Sequence, residues 1–243
     1  MAKSGLWSAI ACAALGSTAA IAAPPVKLAT VLADPGRPDA DKARDADRKP
    51  AELVAFAGVK AGDKIAELAP GGGYFTRILS GAVGPKGKVY AVTSKPSESL
   101  QGIAKDHANV AIIAGEQAHI PAPEPVDIVW TTNNYHDFKN AKIGDRDAAS
   151  VVNAEAFRAL KPGGIYLIAD HEAGKGVGAS VTSTLHRIES GLVRKEVEAA
   201  GFKFVAESPL LRHPADDHSL RVQESGIRGK TDQFVLKFRK PNR

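Results

Sequence analysis

An α/β fold, doubly wound about a mainly parallel sheet of seven strands that ends in an antiparallel pair, is predicted by three observations. Five short apolar runs alternate with segments of helical periodicity between residues 64 and 171, the mark of strands buried on both faces. Two further apolar runs near the C-terminus have no helical pattern between them, so they are expected to pair antiparallel across a long connection at 209–231. No internal repeat or second domain breaks the alternation.

In chain order, the opening stretch reads as an address. Lys3 supplies a positive start, Leu6 to Ile21 is apolar and alanine-rich, and Ala20-Ile21-Ala22 offers small residues at cleavage spacing. A secretory signal over 1–22, cleaved after Ala22, is expected, because a cut one residue later would leave Pro24 next to it. The stretch is shorter than the roughly 20 apolar residues of a membrane span and is diluted by Ser8, Ser17 and Thr18. The mature protein is therefore expected to be exported, periplasmic and free of the membrane. Residues 23–50 are expected to be a polar leader, whose part 34–50, "DPGRPDADKARDADRKP", is charged, proline-bearing and almost free of large apolar groups and should run over the surface into a first helix near Ala51 to Ala57 and a domain over 51–243.

The strands expected next are "KIAELA" at 64–69, "KVYAVTS" at 88–94, "NVAIIAG" at 109–115, "VDIVWTTN" at 126–133 and "GGIYLIADH" at 163–171. Helices are expected over Tyr74 to Val83, Ser97 to His107 and Asp147 to Leu160, the last carrying Val151, Ala154, Phe157 and Leu160 at helical spacing. A further helix over Ile188 to Ala200, stopped by Gly201, leads to "FKFVAES" and "DQFVLKFRK". Strands alternating with helices put ligands outside the carboxyl ends of the strands. Functional residues should follow each strand.

Composition narrows the chemistry. Cys12 is the only cysteine and falls in the signal, so the mature chain has neither disulfides nor thiolate chemistry. The formal charge of +5 drops to +4 without Lys3, and basic residues are interspersed with acids. That pattern is a solvated surface, so a small-molecule substrate is expected and no nucleic acid.

In "IAELAPGGGYFTRIL", residues 65–79, Gly71, Gly72 and Gly73 follow the first strand and open a helix. Missing side chains let the backbone turn sharply and approach a ligand, although a tight turn that binds nothing has the same pattern. A dinucleotide fingerprint wants a glycine where Thr76 stands. Glu67, four residues before Gly71, would repel a pyrophosphate and attract an ammonium or sulfonium group.

These residues resemble the class I S-adenosylmethionine-dependent methyltransferases, Rossmann-like enzymes whose first motif is an acid followed by three alternate glycines. "ELAPGGG" matches at Glu67, Gly71 and Gly73, with Ala69 in place of the first glycine. "GPKGKVYAV", "IIAGEQAHIPAPEPVDIVW" and "FRALKPGGIYLIADH" follow in the family's order, and "PGGGY", "LHRI" and "TDQFVLKFRKP" resemble a group of predicted exported bacterial methyltransferases. The resemblance implies S-adenosylmethionine as cofactor, held by Glu67, Ala69, Gly71, Gly72, Gly73 and Tyr74. It also implies that Glu116, beside Gln117, meets the adenine amino group, and that Asn133 borders the cofactor. The family ends its second strand with an acid that holds both ribose hydroxyls. Here Thr93 and Ser94, followed by Lys95, stand in that region, and a hydroxyl makes one hydrogen bond where a carboxylate accepts two charge-assisted ones. "TSK" suits a 2′-phosphate too, which keeps an NADP-linked oxidoreductase as an alternative.

Methyl transfer requires alignment of an acceptor and, for a neutral one, removal of a proton. "TTNNYHDF", 131–138, follows the fourth strand, with His136 or Asp137 as base and Asn133, Asn134 and Tyr135 near the acceptor. A polar loop with Tyr135 and Phe138 packed below is the plainer reading. Asp170 and His171, which end the fifth strand, and His186, in "LHRI", would form a base cluster or a metal site if they converge with His136, but no spacing is a metal-ligand signature and no metal is expected. Arg187 can pair with an acceptor carboxylate or with Glu189. Export itself raises a conflict, because S-adenosylmethionine is made in the cytoplasm. A non-catalytic binding protein of the same fold is thus a further alternative.

Overall fold

A computed structural model of the chain describes Met1, residues 26–113 and residues 118–242. The signal, 1–22, and the pair Glu116 and Gln117 lie outside the described residues. Seven strands form one sheet in the order β3-β2-β1-β4-β7-β9-β8: β1 (Lys64–Leu68), β2 (Lys88–Val92), β3 (Val110–Ile113), β4 (Val126–Thr132), β7 (Leu160–His171), β8 (Lys203–Ser208) and β9 (Gln233–Arg239). β5 (Lys142–Ile143) and β6 (Arg146–Asp147) make a separate two-residue hairpin. The first five strands of the main sheet are parallel neighbours, and β9 runs antiparallel between β7 and β8. Strand order therefore reverses between β1 and β4. That reversal leaves a crevice at their carboxyl ends.

Both sheet faces are buried, as the continuous apolar runs require. Ile65, Val89, Ile128, Trp130 and Leu167 pack on α4 (Pro50–Ala57), α5 (Tyr74–Val83) and α6 (Glu98–Asp106). Ala66, Val129, Tyr166, Ile168 and Leu236 pack on α8 (Ala148–Ala159) and α10 (Ser190–Ala199) on the other side. Asp147 caps α8 by accepting from Ser150 N at 2.9 Å, and Ser97 caps α6, as N-cap chemistry predicts.

The leader differs from expectation. Instead of a bare surface segment it forms α1 (Val26–Leu32), α2 (Asp39–Lys42) and α3 (Asp45–Arg48). α1 lies on α5 at Gly81, where an added Cβ would sit 2.5 Å from Val31. Arg37, 2% exposed, holds Asp45 through two bonds of 2.6 and 2.7 Å, and Tyr74 Oη donates to the same carboxylate at 2.6 Å. An apolar face of α1, with Leu28 buried and Val31 and Leu32 beside it, docks the start of this segment, and charge pairing at Arg37–Asp45 holds the part that follows.

Candidate active site

The glycine turn is built from both sides. After β1, Ala69 adopts φ 48°, Gly71 58° and Gly73 83°, so the position where the family has its first glycine keeps a left-handed backbone while carrying a Cβ. A Cβ on Gly73 would come 2.4 Å from Ile103 Cδ1, which is why α5 starts there without a side chain. Ser97 Oγ donates to Gly71 O at 3.0 Å and Ser99 Oγ to Gly72 O at 2.9 Å, pinning the turn from the start of α6. Glu67 is 3% exposed and accepts from Thr76 Oγ1 at 2.5 Å. Thr76, the residue that spoils a dinucleotide fingerprint, is thus the partner that fixes the acid. Burial pushes the Glu67 pKa up to about 7, against the Thr76 bond and the charge of Arg48.

Three adjoining cavities open at the carboxyl ends of the strands. One of about 230 Å³ is bounded by Arg48, Glu67, Gly71, Gly72, Tyr74 and Asn133. A second, of about 150 Å³, lies between Leu68, Val92, Thr93, Ser94, Asn134 and Phe138. The largest, about 700 Å³, is walled by Arg48, Asn133, His136, Asp137, His171 and His186, with Thr231 and Gln233 from the C-terminal side. Ala69 and Asn134 border the first two; Arg48 and Asn133 border the first and the largest. Ala69, Asn133 (φ 58°) and His186 (φ 55°) are non-glycine residues held in left-handed backbone at this junction, a concentration of strain typical of functional sites.

The largest chamber has an imidazole centre. His136, in α7 (Tyr135–Phe138), places Nδ1 2.8 Å from Asp170 Oδ1 at the end of β7, and its backbone N–H donates to Oδ2 at 2.8 Å. Asp170 also accepts from His171 N at 2.8 Å. Burial works against its charge, yet His136 and these donors outweigh it and hold the carboxyl below the ordinary range. Burial likewise opposes the His136 imidazolium, but the charge and hydrogen bond of Asp170, helped by Asp137, raise its pKa above 6.5. His136 Nε2 faces His186 Nδ1 at 3.2 Å and Asp137 Oδ1 at 3.4 Å. His171, neutral because burial lowers it to about 4, bonds Thr231 Oγ1 through Nδ1 at 2.8 Å.

The structure gathers Glu67, Ala69, Gly71, Gly72, Tyr74, Thr93, Ser94, Asn133, Asn134, His136, Asp137, His171 and His186 around these cavities. Two expected acceptor residues turn elsewhere. Tyr135 is fully buried beneath the loop, accepting from Asn153 at 2.8 Å and reaching Glu196 at 3.0 Å, which is the plainer packing reading of that loop. Arg187 is also fully buried, and pairs with neither an open cavity nor Glu189. Its guanidinium is consumed by Asp216, at 2.8 and 3.1 Å, and by the carbonyls of Glu172 and Leu220. Instead it anchors the 209–231 connection. Asp170, buried behind the wall, does converge on His136, and two lining residues escaped sequence reasoning, Arg44 and Arg48 from the leader. Arg48 lies 4.6 Å over the Tyr74 ring, and among the described residues no carboxylate is within ion-pair distance of it. Burial, with Arg44 adding to it, lowers its pKa to about 10.

Residues 66–168 match the family model of a methyltransferase domain. An arsenite methyltransferase of Halobacterium salinarum is 31% identical over 48% of this chain, and the match spans only 29% of that enzyme. A ubiquinone/menaquinone biosynthesis C-methyltransferase UbiE of Saccharophagus degradans is 27% identical over 76% of this chain and 67% of its own. Among solved structures, a SAM-dependent methyltransferase from Aquifex aeolicus superposes with TM-score 0.59 at 20% identity, covering 87% of this chain and 97% of that one. Aeropyrum pernix fibrillarin with natively bound S-adenosyl-L-methionine gives 0.53 at 20% identity, over 80% and 76%. At such identities the structural likeness is one of fold. The domain match supports a methyltransferase domain over residues 66–168, on a fold shared with S-adenosylmethionine-dependent methyltransferases. The relatives' names give different acceptors, and neither the NADP-linked nor the non-catalytic alternative gains support.

Proposed function

We propose that the mature protein is an exported methyltransferase that moves a methyl group from S-adenosylmethionine to a small neutral nucleophile bound in the 700 Å³ chamber. The observation that carries this reading is the junction of the cavities. A buried acid and an unpaired arginine, Glu67 and Arg48, border the smaller cavity and suit the cationic and carboxylate ends of one zwitterion. A carboxylate-held imidazole stands in the adjoining chamber. The cofactor supplies an electrophilic methyl on sulfonium. Glu67 offsets its positive charge, Arg48 takes its carboxylate, and the serine-pinned glycine turn lets the backbone close on it. The Thr93–Ser94 region, with Asn134, lies where the nucleoside would rest. Asp170 fixes the proton of neutral His136 on Nδ1 and turns the Nε2 lone pair toward the chamber, where it can take a proton from an acceptor. His171, neutral and tied to Thr231, shapes the wall.

Calorimetry with S-adenosylmethionine should give binding in the low to middle micromolar range, about 7 to 8 kcal/mol, and NADPH should not bind. A methyl-release screen over phenols, thiols, amines and carboxylates then identifies the acceptor class. Absence of S-adenosylmethionine binding ends the proposal; cofactor binding with no methylated acceptor favours the non-catalytic reading.

A further inference from the structure

Three ligand-type atoms converge on one point of the chamber wall. His136 Nε2 and His186 Nδ1 are 3.2 Å apart, and Asp137 Oδ1 is 3.4 Å from the first and 3.5 Å from the second. A tetrahedral zinc ion with bonds of about 2.0–2.1 Å separates neighbouring ligand atoms by about 3.3–3.4 Å. An octahedral ion with bonds of about 2.0–2.1 Å separates them by only about 2.9–3.0 Å. The observed triangle is the face of a tetrahedron. We propose that His136, Asp137 and His186 bind one divalent cation, zinc by donor type and spacing, with Asp170 as the outer carboxylate that orients His136.

Four features beyond the triangle support the site. Asp170 takes the Nδ1 side of His136 at 2.8 Å, the carboxylate–histidine arrangement that nearly always backs a metal-bound imidazole. It thereby leaves the Nε2 lone pair pointing at the cluster. The His186 backbone is held left-handed, at φ 55°, a conformation that histidine adopts at some cost, and it brings Nδ1 to the third corner. The carboxylate of Asp137 beside two imidazole nitrogens also suits a positive centre. In the metal-free hydrogen-bond chain, Arg221 donates to His186 Nε2 at 3.0 Å, so His186 carries its proton on Nδ1 and gives it to His136. Asp137 Oδ1 then faces the His136 Nε2 lone pair at 3.4 Å and has only a long contact, 3.5 Å, to the His186 Nδ1 proton that His136 already takes. Finally, all three residues line the 700 Å³ chamber, so the fourth corner of the tetrahedron is open, as in catalytic zinc sites.

Loading the ion requires His186 to move its proton to Nε2 and exposed Arg221 to swing away. Arg221 is thus a competitor of the cation. The existence of the site is independent of methyl transfer; its chemical role rests on that reading. With the ion bound, acidifying an acceptor hydroxyl or thiol passes from the imidazole to the metal.

The test uses chelator-treated whole protein, titrated with Zn2+ against a chromogenic indicator and separately with Co2+. One equivalent should bind with Kd in the micromolar range or below, and Co2+ should show the intense visible absorption of tetrahedral geometry. His186→Asn, which keeps a residue tolerant of left-handed backbone, and Asp137→Asn should each weaken binding at least tenfold with unchanged thermal melting. Asp170→Asn should weaken it about 10- to 100-fold, whereas Arg221→Ala should bind as tightly or more tightly. Lack of saturable one-to-one binding, an octahedral Co2+ spectrum, or affinity unchanged in the His186→Asn/Asp137→Asn double variant overturns the proposal. S-adenosylmethionine calorimetry on the same preparations reads the methyl-transfer proposal separately, so the two failures are distinguishable.

Discussion

Glu67→Gln should make the ligand-free protein more stable and its cofactor binding weaker. With Glu67 raised from 4.5 to about 7 by burial, the folded state holds a proton that the unfolded chain releases first. Stability from this group is therefore fully present below pH 4.5 and falls as pH rises toward 7, levelling off above it. The shift corresponds to roughly 3 kcal/mol at pH 8. The neutral amide keeps an acceptor for Thr76 and removes the penalty, so thermal melting at pH 8 should rise by about 6–10 °C, with little change at pH 4. Cofactor binding moves oppositely. A ligand-free pKa of about 7 leaves about a tenth of Glu67 ionised at pH 6 and about nine-tenths at pH 8. If the ionised form binds the cationic end, the apparent Kd for S-adenosylmethionine should tighten close to tenfold between those pH values. Glu67→Gln should lose both that slope and more than tenfold in affinity at pH 8. Calorimetry at pH 6, 7 and 8, paired with melting curves, makes both measurements. A flat Kd in the parent together with unchanged melting in the variant would refute the electrostatic argument.

Ala69→Gly should stabilise the protein by about 1 kcal/mol, because the φ of 48° no longer strains a Cβ; a loss in chemical denaturation would show that the Ala69 methyl packs usefully. Arg48→Met should weaken S-adenosylmethionine about ten- to a hundredfold through loss of a charge-assisted bond while leaving 5′-methylthioadenosine, which lacks the carboxylate, unaffected. Equal losses for both ligands in calorimetry would place Arg48 elsewhere. Thr93→Asp should tighten adenosine-containing ligands by supplying a two-oxygen acceptor for ribose, and a clear loss in the same titration would show that the end of β2 departs from the family's ribose geometry.

What could be read from the residues alone follows from where the information lies. Buried parallel strands are written as contiguous apolar runs, so β1, β2, β4 and α5 fall within a residue or two of the expected spans. The start of α2 and α3 carries no such signal. Each has four residues and buries nothing within its own span; α3 is held at Asp45 by Arg37, eight residues away, and by Tyr74, 29 residues away. The same limit left the partners of His136 conditional. Asp170 is identifiable as a strand-end acid, but its pairing bridges 34 residues, and His186 joins across 50. No local spacing encodes a cluster drawn from the ends of two strands and a left-handed turn. Arg187 misled for the opposite reason, since an arginine beside a histidine looks available until the fold buries it against Asp216.

The chamber's roof is made where two remote stretches of chain meet. Gly229 approaches so near to Asp47 that a Cβ would lie 2.6 Å from its carboxylate, and Arg44, Arg48, Arg228 and Thr231 face one cavity from either side. The glycine turn, by contrast, is held by Ser97 and Ser99 at the start of α6 and by Asn134, which donates to Ala69 O at 3.2 Å. The chamber and the cavity at the glycine turn are therefore separable on one side only: drift in the 209–231 connection can reshape the chamber without touching the glycine turn, whereas drift in the leader reaches both cavities through Arg44 and Arg48. A protein trimmed to its matched methyltransferase segment would lose both halves of that roof at once.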